Sequence, residues 1–239
     1  MTISILTAPA HRNDRIFYVG MSLAVAALVF AGFAPTFYLS TYFHGPALTP
    51  LRLVHGAIFT SWVLLFIVQT VLVAARRTDI HRRLGVAGAV LAVAMVVVGL
   101  LLAIATARAG RGPPGVDPRA FLAVPIFDML LFAPLVAAGV YFRRRPEMHK
   151  RLMLLATVSL MAAAAARLPG ALPTAGPLFY FAVVDLLVLL GVLYDLATRR
   201  RVHPAYIWGG LLILVSQPLR LALSGTSAWL AFADMLTGR

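Results

Sequence analysis

The sequence predicts an all-α fold: a seven-helix transmembrane bundle that forms a single integral membrane domain over residues 1–239. Three observations predict it: an extreme composition, seven apolar stretches, and basic residues grouped between alternate stretches. The chain is 61% hydrophobic and 12% charged, whereas soluble domains have about 45–50% apolar and about 25% charged residues. A water-soluble core could not bury so much apolar surface, so we expect the lipid bilayer to surround it.

Each apolar stretch is close to the ~20 residues with which a helix crosses about 30 Å of hydrocarbon. Turn-forming Gly and Pro residues separate the stretches. The predicted spans cover residues 16–40, 51–75, 84–107, 120–142, 152–168, 177–198 and 205–224. A shorter apolar segment, 226–237, is predicted to be a helix that lies along the membrane interface.

Basic residues set the predicted orientation. Fourteen of the 21 Lys and Arg residues lie before span 1 or in the connections 76–83, 143–151 and 199–201. The positive-inside rule then places the N-terminus in the cytoplasm and the C-terminus in the periplasm of a bacterial cell inner membrane. Because this placement explains the net charge of +13, the charge does not indicate a nucleic-acid partner.

Two of the basic connections are alike. Residues 76–84 read RRTDIHRRL, and residues 144–152 read RRPEMHKRL. Each joins a span that runs toward the cytoplasm to a span that returns. The similarity predicts an internal parallel repeat of helical hairpins, formed by spans 2–3 and spans 4–5.

Three histidines occupy matching places in the basic connections: His81, His149 and His203. One interpretation is that they pack or hydrogen-bond locally at the interface. The alternative is that they converge on a metal ion, or that a pair of them ligates haem while arginines neutralise its propionates. The chain has no Cys, which excludes thiolate metal sites and Cys nucleophiles.

Span 2 carries a stripe of aromatic and polar residues. His55, Phe59, Trp62, Phe66 and Gln69 recur at alternating spacings of four and three, which at 3.6 residues per turn places them on one face. Lipid needs only apolar side chains, so we expect this face to point into the bundle. Core packing explains the aromatic rings, but the imidazole and the amide need polar partners in a dry interior.

Later spans carry polar residues at a similar depth on the periplasmic side. These are Asp128 in span 4, Arg167 at the end of span 5, Asp185 in span 6, and Gln217 and Arg220 in span 7. A charge at a helix centre costs about 2.5–3.5 kcal/mol on insertion scales, so we expect pairing inside the bundle. Two interpretations stay open: an ion-pair network that only locks the helices, or an outward-opening cavity that binds a small-molecule ligand, with His55, Trp62 and Gln69 as further candidates.

Two motifs carry a resemblance to known families. They are His55…Trp62…Gln69…His81-Arg82-Arg83-Leu84-Gly85 and Glu147-Met148-His149-Lys150-Arg151-Leu152-Met153. From about span 2 to Arg220, the chain resembles a bacterial family of uncharacterised polytopic membrane proteins with repeated His-Arg-Arg-Leu-type motifs. The second motif alone is similar to one in small membrane proteins that help to mature cytochrome c oxidase, although this chain has more spans and no Cys.

These features favour a binding or transport protein whose ligand sits in the outer half of the bundle. The alternative, which the second resemblance implies, is a haem- or metal-associated factor that works with respiratory-complex components. An enzyme is not indicated, because no nucleophile–base set and no paired acid motif is present.

Overall fold

The computed structural model describes residues 8–45, 47–170 and 176–238, and within these ranges it is all-α. The helices are α1 (Ala8–Phe33), α2 (Pro50–Ala74), α3 (Thr78–Arg108), α4 (Pro118–Phe121), α5 (Ala123–Tyr141), α6 (Pro146–Val158), α7 (Ala162–Ala165), α8 (Pro177–Arg199), α9 (Pro204–Ser224) and α10 (Ser227–Thr237). A π-helical turn, Ala34–Tyr38, prolongs α1. Proline opens α2, α4, α6, α8 and α9, because its missing N–H lies where a helix has no partner for one.

Six segments of the described chain are long and apolar enough to cross a membrane. They are Asn13–Tyr38, Pro50–Ala74, Thr78–Arg108, Pro118–Tyr141, Pro177–Arg199 and Pro204–Ser224, with mean hydropathy between 1.4 and 2.8. They correspond to six of the seven predicted spans and indicate a multi-pass membrane protein.

The remaining predicted span, 152–168, is a broken helix and not a continuous one. Regular α-helix ends at Val158 and resumes for one turn at Ala162. Between them, Leu160 and Met161 donate to the carbonyls three residues back, those of Thr157 and Val158, which is the tighter 3₁₀ pattern. Hydropathy could not predict this break, because it records apolar character and not the local hydrogen-bond register.

The broken helix lies at the centre of the bundle. Around it, α1 packs on α2, α2 on α3, α3 on α5, α5 on α9, and α9 on α8, and stacking of Phe17 on Tyr194 at 4.0 Å closes the ring between α1 and α8. Leu155, Ala156 and Ala165 in the centre have no exposed surface. A helix enclosed on all sides is apolar all round, which matches the sequence of this segment.

The outer surface of the ring is apolar as well. On α3, Val86, Val90 and Val93 are about two-thirds exposed, while Gly88, Ala92 and Gly99 face inward. In the interior, a side chain on Gly32 would clash with the backbone carbonyl of Ala164 on α7. Apolar side chains outside and small residues at helix contacts are typical of packing within a bilayer.

We call the end of the bundle where α6 begins the basic end, and the opposite end the far end. At the far end, α10 packs across α3 and α4, buries Ala233 against Ala103 and Ala107, and forms an ion pair between Asp234 and Arg119 at 3.2 Å. A helix occupies the predicted 226–237 segment, and its placement along a membrane interface stays a prediction. The hairpins α2–α3 and α5–α6 occupy the places of the predicted repeat, which itself also stays a prediction.

Candidate functional site

The α2 stripe faces the bundle. Trp62 and Phe66 are buried, and Trp62 donates its indole N–H to the hydroxyl of Thr157 on the central helix, at 3.2 Å. Its ring also meets Phe132 of α5 edge-on. Trp62 therefore joins two helices through packing and one hydrogen bond, which is the core role that its aromatic character predicts.

The two polar ends of the stripe lie far apart. His55 is in the second turn of α2 at the far end, and Gln69 is fourteen residues further along, or about 21 Å at 1.5 Å per residue. Gln69 donates to the carbonyl of His81, at 3.2 Å, next to the basic end. His55, Trp62 and Gln69 therefore do not line one pocket.

Asp128 and Arg220 form a buried ion pair. Arg220 Nη1 lies 2.6 Å from Asp128 Oδ1, and the two residues are only 2% and 6% exposed. Arg220 also bonds the hydroxyl of Ser216, one turn earlier on α9, at 3.1 Å. Its guanidinium lies over the rings of Phe127 and Phe181 at 5.7 and 5.4 Å, where cation–π attraction adds to the pairing.

A second polar contact lies beside this pair. Gln217 donates its amide N–H to Asp185 Oδ1 at 2.7 Å, which joins α9 to α8. Asp128, Arg220, Asp185 and Gln217 therefore pair among themselves across α5, α8 and α9. The predicted pairing is present, but Arg167 does not take part in it.

Arg167, just beyond α7, is exposed, in contrast to the buried Arg220. Its Nη1 donates to the carbonyl of Ala163 at 2.6 Å, and its guanidinium lies 4.9 Å from the ring centre of Phe33. Among the described residues, no carboxylate lies within ion-pairing distance of it. Arg52, His55 and the carboxylate of Asp128 are within electrostatic range of it, so in this corner of the far end two guanidinium groups face one carboxylate, which Arg220 already pairs.

His55 belongs to the same corner. Its ring stacks on Phe59 with the ring centres 4.0 Å apart. Its Nδ1 atom is buried without a hydrogen-bond partner among the described residues. A buried ring nitrogen without a partner is costly, and it is available to a ligand. A surface depression of about 400 Å³ near this end is lined by Ser40, Thr41, His44, Gly45, Ala47 and Leu48, none of which is a predicted site residue.

The three histidines of the basic connections do not converge. His81 and His149 are neighbours, with ring centres 6.1 Å apart, whereas Nδ1 of His203 caps α9 by accepting from the N–H of Ala205 at 3.1 Å. In the part of the chain that the structure describes, no group of three or more His, Cys, Asp or Glu residues is placed to hold a metal ion.

A charged network at the basic end was not predicted as a unit. Arg151 of α6 and Asp195 of α8 have no exposed surface and pair through Arg151 Nη2 and Asp195 Oδ1 at 2.5 Å. Arg151 also binds the Glu147 carboxylate at 2.9 Å. From the sequence, Arg151 counts only among the basic residues that set the orientation, and Asp195, beside Arg199, is expected to form a cap or an interfacial pair. The contact between Asp195 and Arg199 is present at 3.3 Å, but the buried pair with Arg151 was not predicted.

The same network reaches α1. Both carboxylate oxygens of Asp14 lie 2.7 Å from Arg199 Nη2, and Lys150 lies 2.6 Å from Asp14 Oδ2 and 2.6 Å from Glu147 Oε1. Burial opposes ionisation of Glu147, but hydrogen bonds from Lys150 and Arg151 outweigh it and hold its pKa below the usual range. We call these six residues the basic-end network: Asp14, Glu147, Lys150, Arg151, Asp195 and Arg199.

In comparisons with known proteins, no family model, no curated protein and no solved structure matches the chain. The arrangement of its residues therefore carries the functional interpretation.

Proposed function

We propose that this chain is a seven-span protein of the bacterial inner membrane that binds a small polar ligand bearing an anionic group at its periplasmic end. The N-terminus is cytoplasmic and the C-terminus periplasmic in this proposal. The basic end, which holds fourteen of the 21 basic residues, then faces the cytoplasm, as the positive-inside rule requires.

The seventh crossing is the broken central helix. Over the predicted range 152–168 it has 17 residues, which is the lower end of the range of about 17–25 residues with which a helix crosses the hydrocarbon layer. The breaks in its helical bonding are enclosed by the six surrounding helices, and irregular backbone at membrane depth is tolerated only where protein covers it.

The observation that carries the ligand proposal is the contrast between two arginines of the far end. Arg220 has a carboxylate partner in Asp128, whereas the contacts of Arg167 among the described residues are a carbonyl and an aromatic ring, with Asp128 in electrostatic range but not in an ion pair with it. A guanidinium in that position has unused donors with the geometry to bind a carboxylate or phosphate.

His55 supports the same proposal, because its buried Nδ1 has no hydrogen-bond partner in the described part of the chain and lies within electrostatic range of Arg167. A neutral imidazole could donate to or accept from a polar group of the ligand. The pairs Asp128–Arg220 and Asp185–Gln217 hold α5, α8 and α9 together next to this corner, and we assign them a positioning role and no direct contact with the ligand.

Ligand binding by Arg167 can be tested on protein purified in a non-ionic detergent, with inorganic phosphate, glycine and phosphocholine as probes. At least one probe should bind saturably, and Arg167→Gln should weaken it tenfold or more, because a hydrogen bond to a charged group contributes about 1.5–3 kcal/mol. Arg111→Gln is the matched control, since Arg111 is an exposed arginine outside this corner. Equal affinity in Arg167→Gln and wild type would contradict the proposal.

The same anionic group could belong to a lipid. Titration with phosphatidylglycerol in place of the soluble probes distinguishes the two sources. If only the lipid binds to the wild-type protein, and Arg167→Gln abolishes this binding, the ligand is a lipid headgroup and not a soluble solute.

A further inference from the structure

A pair of histidines brings together α3 and α6 near the basic end. His81 lies in the first turn of α3 and His149 in the first turn of α6. Their ring centres are 6.1 Å apart and their planes meet at 82°. This pair lies at the opposite end of the bundle from Arg167 and His55, so an inference from it is independent of the proposed ligand site.

The hydrogen bonding of His149 fixes which of its nitrogens is free. Its Nδ1 lies 2.8 Å from the carbonyl oxygen of Gly139. A carbonyl only accepts, so Nδ1 carries the proton, and Nε2 of the neutral ring keeps its lone pair. Metal-binding histidines are typically oriented in this way, with the distal N–H donated to a backbone carbonyl.

Two buried polar atoms, one on a histidine of the pair and one on a neighbouring side chain, have no partner among the described residues. They are Nδ1 of His81 and Oε1 of Gln69. The Gln69 amide N–H donates to the backbone carbonyl of His81 at 3.2 Å. The Gln69 side chain therefore ends next to the residue that carries the His81 ring. Buried polar atoms in native proteins are nearly always satisfied, and a bound ion is one recognised explanation where no protein group satisfies them.

We propose that His81 and His149 bind one transition-metal ion between them, with Oε1 of Gln69 as a third ligand. Imidazole is an ordinary ligand for zinc, copper, nickel and iron. Metal–nitrogen bonds of about 2.0–2.1 Å to two rings on opposite sides of an ion place the ring centres ~6 Å apart, which matches the observed separation. The set has three ligands, but only two of them are His, Cys, Asp or Glu, so it does not conflict with the absence of a group of three such residues in the described part of the chain.

Charge around the pair opposes a cation. Arg82 lies within electrostatic range of His81, and the three proposed ligands are all neutral. The ligand bonds must therefore outweigh repulsion, and we expect metal affinity to increase with ionic strength because salt screens the arginine charge. Copper(II) should bind most tightly among the divalent ions, following the usual order of affinities.

The test uses full-length protein without a polyhistidine tag, stripped with a chelator and titrated with Cu²⁺ by calorimetry and by electron paramagnetic resonance. We expect one Cu²⁺ per chain, with hyperfine structure from two imidazole nitrogens. His81→Ala and His149→Ala should each weaken binding at least tenfold. His203→Ala is the matched control, because His203 caps α9 away from the pair, and its affinity should stay within twofold of wild type.

A variant that should bind Cu²⁺ more tightly provides a second test, because misfolding can weaken metal binding but does not strengthen it. Gln69→Glu adds a carboxylate to the set and should tighten Cu²⁺ binding at least tenfold. The proposal is overturned if wild type shows no two-nitrogen signal, if His81→Ala and His149→Ala bind as wild type does, or if Gln69→Glu fails to tighten binding. A Soret band in the purified protein that His81→Ala removes would also overturn it, by assigning the pair to haem.

Discussion

Arg220 of α9 and Asp128 of α5 lie 2.6 Å apart, Nη1 to Oδ1, in the interior of the bundle. Neither residue is more than 6% exposed. An isolated charge in such a place is costly in any apolar medium, and direct pairing removes most of that cost. The pair therefore determines how α5 and α9 face each other within the ring.

Neutralising one member of this pair should destabilise the protein strongly. Asp128→Asn leaves a buried guanidinium without its counter-charge, which costs about 3–5 kcal/mol in buried pairs. The double variant Asp128→Leu/Arg220→Leu should recover much of the loss, because apolar replacement removes both charges. Thermal unfolding in detergent measures both effects. Asp79→Asn, which breaks an exposed pair with Arg77, should change little. A double variant less stable than Asp128→Asn would contradict the interpretation.

The buried pair Arg151–Asp195 should show strong energetic coupling. Asp195→Asn removes a carboxylate that binds Arg151 through two hydrogen bonds and also accepts from the backbone N–H of His203. We expect the single variant to cost about 3–5 kcal/mol. A double-mutant cycle with Arg151→Met isolates the coupling between the two side chains. Additive effects would show that the two charges are held apart in solution.

Acid should weaken the basic-end network. The pKa of Glu147 is lowered in the folded protein, from about 4.3 in an unfolded chain. A depressed carboxyl pKa contributes stability that is present above the unfolded pKa and is lost as pH falls through the folded pKa. The thermal unfolding temperature should therefore decrease as the pH is lowered below about 4.3. The Glu147→Gln variant should show a smaller decrease over the same pH range. An unchanged slope between pH 3 and 5 in Glu147→Gln would rule out this contribution.

Two glycines of α1 offer a matched comparison. A Cβ on Gly32 would clash with the backbone carbonyl of Ala164, whereas a Cβ on Gly20 would meet nothing. Gly32→Ala should destabilise the protein by about 1–3 kcal/mol or more through overpacking. Gly20→Ala should be neutral or stabilise it by up to about 1 kcal/mol through helix propensity. Equal unfolding midpoints for the two variants would show that α1 does not approach α7 as closely as described.

The sequence predicted the helices well, because crossing a bilayer demands long apolar stretches that composition reveals directly. Six predicted spans correspond to long helices. The seventh stretch has the right hydropathy, but its break at Ser159–Met161 depends on local hydrogen bonding.

The sequence predicted how deep in the membrane the site residues lie, but not which of them pair with each other. Sequence positions fix how far along a span a residue lies, so Asp128, Arg167, Asp185 and Arg220 could be grouped at one level. Which of them meet depends on the rotation of each helix, and within the described residues Arg167 forms no ion pair with the others. The basic-end network was missed for another reason: arginines at span ends are expected for topology alone, and the chain gives no sign that Arg151 is buried.

The most direct test of a bundle built around a seventh, broken span is its topology. The chain has no Cys, so single cysteines can be introduced at Arg111, Arg144 and Pro169, all exposed, and labelled with a membrane-impermeant maleimide in intact cells and in inverted vesicles. We predict that Pro169→Cys and Arg111→Cys react only from the periplasmic side and Arg144→Cys only from the cytoplasmic side. Labelling of Pro169→Cys and Arg144→Cys from the same side would show that the central helix does not cross the membrane.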